Sequence, residues 1–254
     1  MRYLLIFLTV FCTVHAFAAH LPSLRDPHQS YLEEAFELMP SMPADAQTPW
    51  SLQRPLGQLD QTSVPVLGSL AQVQKVFAEI RDLRAWSWND RPGFARRIPW
   101  LYVDDGCFLR AEMIVEKFRE WGYSVPKQVM AFGDLRGDSA YGSVTWWFHV
   151  APVVKVGSQS YVLDPSMDAT HPLSLEEWTL RMAPVSAAKL SICNADVVDP
   201  QQYCFSTEAN WDTQYETEQL QLYLGLEWDK LQAALGVEPI GPLGDTPPWT
   251  QNRH

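Results

Sequence analysis

Between residues 107 and 121 the apolar positions advance in steps of three and four. Phe108, Ala111, Val115 and Phe118 line one side of FLRAEMIVEKFREW. That spacing predicts an amphipathic helix. Gly122 is placed to stop it, with Pro126 beyond. Asp104 or Asp105 is expected to cap the other end, which puts Cys107 in the first turn. LAQVQKVFAEIRDL (70–83) repeats the helical spacing, and HQSYLEEAFELM (28–39) is a helical stretch between loops. TEQLQLYLGLEWDKLQAALG predicts a late helix ending at Gly236. Two segments are β-rich instead: VTWWFHVAPVVKV (144–156) and SYVLDPS (160–166). A two-residue turn at Gly157-Ser158, glycine first, suits type II′. In that register His149 lies opposite Ser166, and Asp164 is its diagonal neighbour on the same face. A slip of one residue would part them.

The ends of the chain read differently. MRYLLIFLTVFCTVHAFAAH has one early Arg, an apolar run from Leu4 to Val14 and a small-x-small site at Ala16-Phe17-Ala18. This is the pattern of a secretory signal peptide (1–18), cut near Ala18, and it implies a secreted or periplasmic protein. The apolar run is too short to span a bilayer. Residues 19–95 read as an N-terminal extension, pro-segment-like and rich in Pro, Gln and Ser over its first part. Residues 96–206 read as the catalytic core. Residues 207–254 hold the late helix and a Pro-rich tail.

Losing the signal removes Cys12 and leaves Cys107, Cys193 and Cys204. Three is an odd number in an oxidising compartment. Cys193 and Cys204 lie close together in a polar stretch, and a bridge between them would stabilise by roughly 3 kcal/mol in the loop-entropy view. Cys107 is then the unpaired thiol. Zinc is disfavoured because no CxxC or HxxxH companion is present. The net charge of -11 argues against nucleic acid or an anionic membrane as partner. Apolar residues make up 46% of the chain, enough for a substantial core.

A helix start offers free N–H groups and the positive end of the dipole, and both favour a thiolate. Position alone leaves Cys107 either reactive or buried and inert. His149 taken alone reads as a core histidine, and Asp164 as a turn cap at a strand exit. Together, in the order Cys–His–Asp, they form a more specific pattern. Cys107 would be the nucleophile, His149 the base and Asp164 the group that orients the ring. The Cys107 N–H is one candidate oxyanion donor. For the second, the indole of Trp146 or Trp147 is an alternative to the packing role that is favoured for both.

The runs DGCFLRAEMIVEKFREWGY, WWFHVAPVV, YVLDPSM and EEWTLRM, with a trailing cysteine pair, resemble the secreted bacterial protein-glutaminases over about residues 100–206. The resemblance implies an α+β fold: a papain- or transglutaminase-like core with a nucleophile helix packed on an antiparallel sheet. It implies deamidation of glutamine side chains to glutamate and ammonia, without cofactor or metal, by a monomer acting on proteins or peptides with exposed glutamine. Cys107, His149 and Asp164 fall on the family's nucleophile, base and orienting acid. A transglutaminase or cysteine peptidase on the same core, or a non-catalytic secreted binding module, are the other classes. The chain departs from the family in lacking further cysteines between the helix and the histidine strand, and in its acidic C-terminal helix.

Overall fold

The computed structural model describes residues 46–88, 91–139, 141–184, 186–209 and 213–237, together with Glu33. The signal segment and nearly all of the 28–39 stretch lie outside the described residues. The fold is α+β. Its helices are α1 (Pro49–Leu52), α2 (Leu70–Asp82), α3 (Cys107–Glu120), α4 (Leu175–Met182) and α5 (Thr213–Leu235). A hairpin, β1 (Arg84–Trp88) and β2 (Arg91–Arg97), stands apart from a five-stranded antiparallel sheet. That sheet holds β3 (Lys127–Ser139), β4 (Gly142–Val156), β5 (Gln159–Val162), β6 (Leu173–Ser174) and β7 (Lys189–Cys193), in the order β6-β5-β4-β3-β7.

The β4–β5 hairpin has the register its turn predicts. Val156 faces Gln159, Lys155 faces Ser160 and Val153 faces Val162, around Gly157-Ser158. Gly157 has a positive φ and Ser158 does not, which is the II′ pattern. Extrapolating this pairing sets His149 against Ser166. Strand pairing ends at Val162, and one more bond joins the Leu163 N–H to the Pro152 carbonyl. The chain then peels away from β4, so β4 is open on that side at His149, while Ala131 of β3 pairs with it on the other.

Alternation along β3 and β4 divides the core. Val129, Ala131, Ala151 and Val153 gather with Trp178 of α4. Met130, Phe132 and Val150 gather with Ala111 of α3. Val154 and Leu163 join Met113, Ile114 and Phe118 of α3 and the buried stripe Val73, Val76, Phe77 and Ile80 of α2. The sheet is thus sandwiched: α3 with α2 on one face, α4 on the other. Residues before α2 are tied down as well. Arg54 bridges Leu190 of the edge strand β7, Val66 bridges Lys155, and Trp50 sets its edge against Phe132.

The predicted bridge is present: Cys193 and Cys204 are joined, and Cys107 is free. The helix stops also fall where expected. Gly122 and Gly236 both take positive φ just past α3 and α5. No helix among the described residues is long and apolar enough to cross a membrane.

Candidate active site

The approach to Cys107 is held by side chains, one backbone group after another. The Leu101 N–H donates to Glu227 of α5 at 2.8 Å, and the Val103 N–H donates to the Tyr141 hydroxyl at 2.9 Å. The Trp146 indole donates to the Val103 carbonyl at 2.9 Å. Arg110, one turn into α3, donates to the carbonyls of Tyr102 and Asp105, both at 2.9 Å. Asp104 is paired with Lys230 of α5, so neither of the expected aspartates caps the helix. The N-cap is Gly106 in a left-handed conformation (φ 80°), without a side-chain cap. The physical reason is space: a Cβ at Gly106 would sit 2.7 Å from the Tyr223 ring. Asp105 accepts the Gly106 N–H instead. The absence of a capping side chain leaves the N–H at the start of α3 available to a ligand.

His149 and Asp164 meet directly. The imidazole Nε2 and Asp164 Oδ2 lie 2.8 Å apart, with both side chains buried. The same Oδ2 accepts the Trp178 indole N–H at 2.9 Å. Asp164 Oδ1 accepts both the backbone N–H and the hydroxyl of Ser166, at 3.1 and 2.5 Å. The turn-capping role and the His-facing role of Asp164 therefore coexist, one on each oxygen. Burial pushes this carboxyl up. The His149 charge and these donors outweigh it and bring it down to about 2. For His149, burial pushes down, while Asp164 and then Cys107 raise the imidazolium to about 9.

The other ring nitrogen, Nδ1, is buried with no conventional hydrogen-bond partner, and the Cys107 thiol is its titratable neighbour. Burial raises that thiol, but interaction with His149, helped by the Arg110 charge, leaves it below its ordinary value. Asp105 works in the opposite sense. Cys107 keeps partial exposure where His149 has 2%. The three side chains line one cleft with Arg110, Ala111 and Ile114 of α3 and Val150, Ala151 and Pro152 of β4. Its empty space is about 170 Å³, part of it open to solvent. Groups from opposite faces of the sheet can share this cleft because β4 is open there.

Both tryptophans take the packing role that the sequence favours over oxyanion donation. Trp146 gives its N–H to the Val103 carbonyl, so that donor is not available to an oxyanion. Its ring stacks on His149 at 5.2 Å between centroids, and it lies so close to Gly137 that a Cβ there would sit 2.1 Å from the indole. Trp147 packs on the other side of the sheet with Trp50 and Phe132. Sequence reasoning missed Trp178, Ser166 and Arg110 as parts of the site. The short DPS exit was the available signal for Ser166, and the GC-x-x-RA run for Arg110. For Trp178 the signal was the EEWTLRM run.

Residues 73–182 match a family model described as Glutaminase. No curated protein matches. Among solved structures, the chain is similar to a crystal structure of protein-glutaminase, with 19% identity, 72% of this chain and 96% of that one covered, and a TM-score of 0.45. It is also similar to a crystal structure of pro-protein-glutaminase, with 17% identity, 77% and 69% covered, and a TM-score of 0.45. A third similarity is to the solution structure of protein-glutaminase from Chryseobacterium proteolyticum, with 18% identity, 71% and 96% covered, and a TM-score of 0.44. Residues 73–182, the stretch that contains Cys107, His149 and Asp164, thus match the glutaminase family, and the resemblance read from the sequence is borne out.

Proposed function

We propose that this protein is a secreted amidohydrolase that deamidates glutamine side chains of proteins or peptides, through a thioester on Cys107. One observation carries the reading: an Asp164–His149 pair at 2.8 Å, sharing a cleft with a thiol at a helix start, all inside the glutaminase-matching segment. The disulfide supports an oxidising compartment, in keeping with the signal pattern at residues 1–18.

The chemistry runs as two acyl transfers. The Cys107 thiolate attacks the carboxamide carbon, and the carbonyl electron pair moves onto oxygen. The uncapped N–H at the start of α3 faces that oxyanion. The His149 imidazolium gives its proton to the carboxamide nitrogen, the C–N bond breaks and ammonia leaves. A water then loses a proton to His149 and attacks the thioester. The C–S bond breaks, which releases glutamate and restores the thiolate–imidazolium pair. Asp164 keeps its charge throughout and holds the ring in register.

The test is ammonia release together with intact mass on a glutamine-rich protein. The parent enzyme should release ammonia and add about one mass unit per site at unchanged chain length, since O and H replace N and two H. Cys107→Ala should release none. Equal ammonia from both proteins removes Cys107 from the reaction. A shortened substrate would mean a peptidase, and uptake of a labelled amine a transglutaminase.

A further inference from the structure

Two indoles pack near the His149 ring. Trp146 is at 5.2 Å between ring centroids and 23° between planes; Trp178 is at 5.6 Å and 30°. Their N–H groups do different things. Trp146 donates to the Val103 carbonyl and so belongs to the approach to Cys107. Trp178 donates at 2.9 Å to Asp164 Oδ2, the oxygen that His149 also contacts at 2.8 Å. Trp178 is wholly buried, on a helix fixed at its start by a reciprocal capping box between Ser174 and Glu177. Helix and packing together set the place of its indole.

We propose that Trp178 is a positioning residue of the reaction: its indole N–H pins Asp164 Oδ2 and takes a share of that oxygen's charge, and through Asp164 it sets both the orientation and the acidity of His149. The physical argument concerns the leaving step. An imidazolium must surrender its proton to the departing nitrogen, and a proton held too firmly is surrendered slowly. A carboxylate oxygen that faced only the imidazolium would hold that cation more tightly. A second donor on the same oxygen weakens the hold without discharging the acid. Ser166 cannot substitute, because it binds the other oxygen, Oδ1.

The proposal rests on reading Cys107, His149 and Asp164 as the reacting set, but its test reads the thiol directly. The pH profile of Cys107 alkylation by iodoacetamide has an alkaline limb where the imidazolium is lost. In Trp178→Phe, which keeps a buried ring and loses the donor, that limb should move to higher pH. Turnover should fall about 10- to 100-fold with KM little changed. Trp146→Phe thins the stack but takes nothing from Asp164, so its limb should stay in place. A limb in Trp178→Phe that is unmoved or moves down overturns the proposal, and so does an equal rise in both variants. If Trp178→Phe does not fold, Asp164→Asn supplies the answer: the Trp178 indole N–H resonance should shift on that substitution, and an unshifted resonance overturns the proposal. A parent enzyme without glutaminase activity would instead remove the assigned reaction and leave the alkylation result to stand or fall by itself.

Discussion

Two buried carboxyls lie close to α3, and they are tuned in opposite directions. Asp164 is 6% exposed and sits well below the usual carboxylate range, at about 2. Glu112, on α3 itself, is 9% exposed and is pushed up to about 8. Burial raises both, so burial does not separate them. The neighbours do. Asp164 meets an imidazole, an indole N–H and both donors of Ser166. Glu112 meets Glu216 of α5, with Asp196 and Glu116 nearby, and Arg119 is engaged by Asp196 and Glu116. The first site stores a fixed negative charge for the cleft. The second holds a proton between two helices. The lesson is that a carboxyl's protonation follows the sign of what faces it, once water is gone.

The sharpest way to break this comparison is to neutralise Asp164. Asp164→Asn keeps the shape and removes the charge that holds the His149 ring and its proton. We expect activity to fall by about 10³–10⁴-fold, measured as ammonia release at saturating substrate. Retained activity within about tenfold would mean that Asp164 is only a turn cap. The substitution should also alter how stability depends on pH. Asp164 is depressed on folding, from 3.8 to about 2, so its contribution is present above 3.8 and lost as pH falls through 2. His149 is raised from 6.5 to about 9, so its contribution is full below 6.5 and lost as pH rises through 9. Thermal unfolding of the parent should show both limbs, and the Asn variant should lose them together.

A smaller effect is expected at Glu112. Its raised value means that the folded state binds a proton the unfolded chain gives up above 4.5. Stability should therefore drop as pH rises from 4.5 to about 8, then level off. Glu112→Gln keeps a hydrogen-bonding amide toward Glu216 and should flatten that slope in a Tm-versus-pH series, leaving ammonia release near the parent rate. An unchanged slope would mean that the two carboxyls are not coupled in solution. The smallest effect belongs to Ser166→Ala. It removes one of four contacts on Asp164, and a loss of a few-fold in turnover is expected. A loss as large as that of Asp164→Asn would shift the weight from the His149 side of the carboxylate to its far side.

Much of the site was legible because its parts are locally encoded. The glycine-first turn at Gly157-Ser158 sets the hairpin, and the hairpin brings the chain back to the level where Asp164, just past the end of β5, meets His149. Periodicity sets α3 and so puts Cys107 at a helix start. Parity of the cysteines and their spacing gave the 193–204 bridge. Errors came where a distant element intrudes. Asp104 does not cap because Lys230, far along the chain, takes it. Gly106 caps because Tyr223 occupies the room a side chain would need.

The α2 helix shows the same limit on a larger scale. Its apolar stripe can be read at 70–83, but the stripe does not name its partner. Only the fold brings Val76, Phe77 and Ile80 against Met113, Ile114 and Phe118, on the back of the helix that carries the thiol.

What the amino-acid order determined by itself is therefore short-range: helix phase, turn type, strand register and which thiol is left unpaired. These follow from backbone sterics and from periods of two and 3.6 residues, which act over a few positions. What only the tertiary structure decided is which group faces which across the sheet. The opening beside β4, the two indoles near His149 and the acid pair between α3 and α5 all depend on contacts between residues tens of positions apart. Their energies are set by distance and exclusion of water, and neither is written in any local pattern.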